Sequence, residues 1–359
     1  MDSARRSVTM RILRNGGLIF WASASLVTRA GAQSGAMAQD SSLDNLQHDA
    51  AYRPARLGTL GQVVRKGSGS LDVLIIAGWG FGASAFEEFM TSNSDRYRMV
   101  AVTLPGFGGT AAPPMPPANT SYSEGTWTRA AEEAIASLIR QERLHRPIVV
   151  GHFVVGTQVA VRLGVDHPDL IGGIVVVGGE PMRYMTSRRD TVNKPPLSAD
   201  ERRILVDKIM APKWYKTVTK ATFDTNNYRP AQYARDTARA RILWKASSDV
   251  PLPVMVRYLC EYLAMDLSDD YVSLTVPTAV LVPSFSSQIF ADPKQAYVRP
   301  LLVDSWNKVR GKNAQIEIRT ANNSRIFVTD DRPDIVREAI SQVASRAKKR
   351  AMKKDVGRN

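Results

Sequence analysis

One cysteine, Cys260, in 359 residues rules out an internal disulfide, so the chain must hold its fold by packing. Cys260 lies in the apolar run VMVRYLCEYLAM, a setting for a core thiol and not for a redox pair. Only four histidines occur, at positions 48, 145, 152 and 167, and none follows His167. No Cys/His spacing suggests zinc, and Asp269-Asp270 and Asp330-Asp331 have no companion ligands, so neither a metal nor a cofactor is expected. Acid is also scarce: 48 Lys and Arg face 34 Asp and Glu, a net charge of +14. Such a surplus favours anionic surfaces and says nothing of fold.

Long apolar runs are missing as well. The uncharged stretch GGLIFWASASLVT spans only residues 16–28, short of the roughly 20 residues that cross a bilayer. Arg5, Arg6, Arg11 and Arg14 stand near or before it, and small residues follow at Ala30-Gly31-Ala32 and Ala36-Met37-Ala38. A basic front, an apolar middle and a small-residue end read as a secretory leader over 1–38, cleaved after Ala32 or Ala38. Translation starting at Met10 would give a more compact leader of the same kind. Cleavage after Ala32 removes five Arg and one Asp and leaves a charge of +10. The expectation is a secreted or periplasmic protein with no membrane span in the mature chain.

What is present alternates. Apolar strands are expected at LDVLIIAG (71–78), RMVAVTLP (98–105), RPIVVG (146–151), GGIVVVGG (172–179), VPTAVLVPSF (276–285) and AQIEIRT (314–320), after a shorter strand near 57–70. Helical patterns lie between them, notably TWTRAAEEAIASLIRQERL and TQVAVRLGVDHPDL, and a last one runs from Pro333 to Lys349. Buried strands alternating with helices predict a mostly parallel sheet covered on both faces. From about 181 to 270 the period becomes wholly helical, in ADERRILVDKIM, PAQYARDTARARILWKAS and PVMVRYLCEYLAM. One helix is expected over 293–311.

Four motifs stand in a telling order: AGWGFGA after one strand, LPGFGGT after the next, VVGHFVVG at a strand-to-helix turn, and NSRIFVTDDRP near the end. Together they resemble the α/β-hydrolase superfamily, over roughly residues 57–345. The resemblance implies an α/β fold whose mostly parallel central sheet is flanked by helices, with an all-helical cap inserted between the sixth and seventh strands. It divides the chain into a core (57–180 and 271–345), a cap (181–270) and a basic tail (346–359). It also implies a triad, and here each slot reads oddly. The nucleophile of the G-x-S-x-G elbow falls on Phe153, which has no hydroxyl. The acid slots fall on Gly178 after one strand and on Ser286 after the next, and the histidine slot falls on Ile326. Backbone N–H groups of Trp79 and Val154 would be the surviving oxyanion donors. Val155 stands where the family prefers glycine, which predicts a looser elbow.

The expected function is therefore an exported pseudohydrolase, with hydrolysis lost and binding of a small apolar ligand or a protein partner retained. Gly78, Trp79, Phe153, Val154 and Glu180 would line that ligand's pocket, Glu180 at its mouth. Three alternatives are carried beside it. An active ester hydrolase could use replacement residues such as Ser284, Ser286, Ser287 or Ser324, but no histidine lies near them in sequence. Gly78-Trp79-Gly80-Phe81-Gly82 superficially resembles a dinucleotide fingerprint, with its third glycine misplaced. Finally, the tail holds Arg346, Lys348, Lys349, Arg350, Lys353 and Lys354, a stretch suited to anionic surfaces. No aromatic residue interleaves with these charges, so specific nucleic-acid binding is not expected.

Overall fold

Runs such as LDVLII, IVVGH, GIVVV and TAVLVP carry almost no charge, so they can sit only where both sheet faces are covered. The computed structural model describes residues 54–181, 197–226, 228–293, 295 and 298–356. In it these runs form the middle of a seven-stranded sheet ordered β1-β3-β2-β4-β5-β6-β7. Its strands are β1 (Val63–Lys66), β2 (Leu71–Ile76), β3 (Tyr97–Val102), β4 (Ile148–His152), β5 (Gly173–Val177), β6 (Thr278–Pro283) and β7 (Ile316–Ala321). Only β1 is antiparallel, along β3; every other pairing is parallel. The expected leader over 1–38 lies outside the described residues. Among the described residues no helix is long and apolar enough to cross a membrane.

Helices α1 (Glu87–Thr91), α2 (Thr126–Gln141) and α3 (Val155–Asp166) make the crossovers between β2 and β3, β3 and β4, and β4 and β5. On α2, Trp127, Ala131, Ile135 and Leu138 recur three and four residues apart and are buried. The crossover of α3 over β4 is unusually close. A Cβ on Gly151 would lie 2.5 Å from the Ala160 Cβ, and one on Gly156 would lie 2.7 Å from the Ile76 carbonyl oxygen.

Among the described residues, the insertion that separates β5 from β6 holds helices and no strand. It holds α4 (Ala199–Leu205), a π turn (Val206–Met210), α5 (Ala211–Thr217), α6 (Lys220–Asn226), α7 (Pro230–Tyr233), α8 (Thr237–Ser248), α9 (Leu252–Ala264) and α10 (Ser268–Ser273). The expected position, between a sixth and a seventh strand, counted one strand more ahead of the insertion than the described residues hold. The helix expected across 230–247 is broken, because Asp236 accepts from the Arg239 N–H at 2.7 Å and caps a new start. The helix expected over 293–311 is likewise in pieces: α12 (Val298–Leu302) and a 3-10 turn (Asp304–Lys308) follow α11 (Ser287–Ala291). Pro300 has no N–H to donate backward, so it fits only the first turn of α12. After β7 come α13 (Val328–Asp331) and α14 (Pro333–Val356), which carries the basic stretch from Arg346 as far as Val356 within one helix.

Buried polar contacts join the insertion to the sheet layer. Trp79 Nε1 donates to the Met255 carbonyl at 3.1 Å, and the Tyr258 hydroxyl donates to the Pro105 carbonyl at 3.1 Å. Glu261 of α9 accepts from the Trp127 and Thr128 N–H groups at 3.0 and 2.9 Å. It thereby caps the positive end of α2. Arg257 completes the group, 2.7 Å from Glu261 and 4.4 Å above the Tyr122 ring.

Candidate active site at the elbow

The turn from β4 into α3 places the elbow at the C-terminal edge of the sheet, where this kind of fold puts its sites. It is strained. Phe153 has φ 35°, and Val154 has φ 55° with ψ −110°. A β-branched residue in that region costs on the order of 1–3 kcal/mol. The looser turn expected from Val155 is not found, because Val155 already belongs to α3 and the strain falls on the two residues before it.

Phe153 is fully buried. Its ring meets Tyr228 at 5.1 Å in an edge-on contact and Phe81 at 6.5 Å. Around Phe81 gather Phe327 at 4.8 Å and Tyr233 at 5.5 Å. His152, the last residue of β4, is enclosed by the same group: Phe327 at 4.3 Å, Phe86 at 5.1 Å and Phe81 at 5.8 Å. Neither ring nitrogen of His152 has a hydrogen bond of good geometry. Burial pushes its pKa down to about 3, against a smaller opposing contribution from the Ile326 backbone. The imidazole is therefore neutral at physiological pH, and a very weak base.

The other slots converge on this turn. Phe153 N–H donates to the Val177 carbonyl at 3.0 Å, which brings the end of β5 alongside. Gly178 follows at φ 62°, and a Cβ there would lie 2.5 Å from the Ile326 carbonyl oxygen. A carboxylate side chain cannot be added at Gly178 without moving the loop after β7. Ile326 is itself fully buried, and its N–H donates to the Gln232 carbonyl at 3.0 Å. The next residue does the same, Phe327 N–H to the Tyr233 carbonyl at 2.8 Å. Thus α7 of the insertion clamps the loop that holds the histidine slot. Ser286 is spent locally as the N-cap of α11, its hydroxyl accepting from the Ile289 N–H at 3.4 Å. Ser324 is fully buried and donates to the Ala321 carbonyl at 2.6 Å.

Two expected ligand-lining groups are placed differently from the sequence reading. The Trp79 N–H, one expected oxyanion donor, donates to the Phe153 carbonyl at 3.2 Å. Gly78 sits tightly beneath it, where a Cβ would come within 2.4 Å of that same carbonyl oxygen. Glu180 is fully buried and not at a mouth. Its charge acts on Arg202 of α4, whose pKa is held down by burial and supported by Asp266, Tyr262 and Glu180. Val154 is buried, at the head of α3.

Sequence reasoning missed the enclosure formed by the rings of Phe81, Phe86, Tyr228, Tyr233 and Phe327, which come from three separate segments. Only Phe81, in the glycine-rich turn after β2, and Phe327, next to the histidine slot, were in view. It also left Asp330 and Asp331 without a role. Asp330 accepts from Arg239 of α8 at 2.6 Å, and Asp331 accepts from the Arg235 and Arg325 N–H groups at 2.8 and 2.7 Å. Among the described residues no cluster of three or more His, Cys, Asp or Glu is arranged to hold a metal ion.

A family model described as the alpha/beta hydrolase family matches residues 73–346, from β2 into α14. The chain belongs to the alpha/beta hydrolase family. Among curated relatives, this alpha/beta hydrolase is similar to a pimeloyl-(acyl-carrier protein) methyl ester esterase of Aeromonas hydrophila. The two are 26% identical over 216 residues, 60% of this chain and 76% of the relative. Solved structures agree on the fold. An esterase from Exiguobacterium antarcticum has a TM-score of 0.57 at 17% identity, covering 81% of this chain and 98% of its own. An enol-lactonase from Burkholderia xenovorans has a TM-score of 0.56 at 12% identity, covering 79% and 96%.

Proposed function

We propose that this alpha/beta hydrolase binds and does not hydrolyse, its scaffold serving an apolar ligand or a protein partner outside the cytoplasm. The observation that carries the reading is the buried aromatic enclosure at the elbow. Where acyl transfer needs a hydroxyl, a base and an orienting acid within reach, Phe153 packs against Tyr228 and Phe81. The histidine beside it, with a pKa down to about 3, could not take a proton from a serine at neutral pH. Trp79, a remaining source of oxyanion stabilisation, already donates its N–H to the Phe153 carbonyl. Export rests on the leader-like sequence over 1–38 and is tested by the N-terminus of the protein recovered from cells.

A second reading, ester hydrolysis through replacement residues, is favoured by the name of the Aeromonas relative. Turnover of short p-nitrophenyl esters by the purified chain, beside Phe153→Ala and Ser286→Ala variants, separates the two. No release above the uncatalysed rate supports binding without turnover. Release abolished by Ser286→Ala establishes a rebuilt site and removes the proposal.

A further inference from the structure

Helix α14 runs back along the sheet, opposite to the strands, and its course defines a second face. Its first turn follows the C-terminal end of β7. Farther on, Val343 packs where β5 begins, so close that a Cβ on Gly173 would meet it at 2.3 Å. Arg346 then donates to the Ala314 and Gln315 carbonyls at 3.1 and 2.8 Å, just ahead of β7. From Arg346 to Val356 the helix continues for ten more residues, about 15 Å at 1.5 Å per residue. The elbow and this projecting end therefore lie at opposite edges of the sheet.

The projecting end is strongly basic. Six of the nine residues from Arg346 to Lys354 are Lys or Arg, and between Arg346 and Val356 the one acid is Asp355. Lys348 and Lys349 are exposed. Met352, three and four residues on and so on the same side of the helix, is 66% exposed. Other cations gather at this edge. Arg310 and Lys312 are exposed in the turn that leads to Ala314, and Arg143 and Arg146 are exposed at the entrance to β4. Two acids at this edge are already engaged: Asp72 accepts from Arg98 at 2.6 Å, and Glu142 from the Arg65 Nε at 3.0 Å.

We infer that this edge is a docking face for an anionic phospholipid bilayer, with the end of α14 as its main contact. Positive charge alone would suit nucleic acid equally well, and two observations favour lipid. No aromatic residue lies between Ser341 and Asn359, so exposed bases have nothing to stack on. Met352 meanwhile offers an apolar side chain among lysines whose stems can lie along the interface with their ammonium groups at the headgroups. The face is remote from the elbow, so the inference stands however the ester assay falls.

The test is co-sedimentation of the full chain with vesicles of phosphatidylcholine, alone or mixed with phosphatidylserine. The comparison protein is the same chain carrying Lys348→Gln, Lys349→Gln, Lys353→Gln and Lys354→Gln, so any contribution from residues 1–38 is common to both. Each basic residue at a bilayer surface contributes about five-fold in affinity, so the quadruple variant should bind phosphatidylserine vesicles more than about a hundred-fold more weakly. Binding of the parent should fall steeply with added salt, and Met352→Ser should weaken it further. Unchanged far-UV circular dichroism would show that the variants keep the fold. Equal binding to both vesicle types, or unchanged binding by the quadruple variant, overturns the inference. Tighter binding to duplex DNA than to vesicles at the same ionic strength overturns it in favour of nucleic acid.

Discussion

His152 makes a sharp test of how completely the elbow is closed. An imidazole titrates near 6.5 in an unfolded chain and about 3 when buried here. Between those values the unfolded state binds a proton that the folded state refuses, so stability rises with pH across that window and is lost as pH falls. Near pH ~4.5 the loss from this one residue is about 3 kcal/mol, two pH units at ~1.4 kcal/mol each. The perturbation is His152→Leu, similar in volume and without a titrating group; in an enclosure of rings it should cost under about 1.5 kcal/mol at neutral pH. Urea unfolding of both proteins, followed by tryptophan fluorescence from pH 7 to pH 4, gives the difference directly. The two curves should converge and cross as the solution is acidified. Curves that stay parallel would mean that His152 is reached by water or holds a partner, and that the site is open.

Phe153→Ser should lower stability by about 3–5 kcal/mol, as other losses of a buried ring do, and should yield no ester hydrolysis, which chromogenic substrates and urea unfolding check together. Glu132, on α2, behaves oppositely to His152: burial, with Asp166 next, pushes its pKa up from 4.5 to about 8. The folded state then keeps a proton that the unfolded state releases, so stability falls as pH rises from 4.5 towards 8. Glu132→Gln should raise stability by about 2–3 kcal/mol near pH ~7.5 and leave it unchanged near pH ~4.5, measured by thermal unfolding at both. Gly178→Asp should destabilise and restore no activity, because the new side chain meets the Ile326 carbonyl; a stable variant with esterase turnover would refute the steric reading.

The fold was legible because its strands are runs of valine, isoleucine and leucine with glycine at their ends, a pattern that only a doubly covered sheet explains. The elbow was legible for the same local reason: Gly151 and Gly156 flank the turn where α3 crosses β4 too closely for a Cβ at either position. Helix ends were harder to read. Asp236 and Pro300 each interrupt what periodicity alone joins, Asp236 by capping the Arg239 N–H with its side chain and Pro300 by having no N–H to donate. The enclosure at the elbow was not legible, since Tyr233 reaches Phe81 and Tyr228 reaches Phe153 only after the insertion has docked. Glu180 was misjudged because nothing local to β5 reveals Arg202, which arrives from α4. Long-range partners of buried charges leave no periodic trace in a sequence.

The carboxylate of Glu261 has a consequence for motion. It lies fully buried with Arg257, bonded to the first N–H groups of α2. Swinging the inserted helices away from the sheet would carry the Arg257–Glu261 pair off with α9 and strip the first N–H groups of α2 of their carboxylate acceptor, a loss of charge-assisted hydrogen bonds worth about 1.5–3 kcal/mol each. Hinged opening of the whole insertion is therefore rare on the scale of local fluctuations. Amide exchange in α9 and in the first turn of α2 should share one rate, set by global unfolding. Whatever reaches the elbow must pass between helices that stay in place.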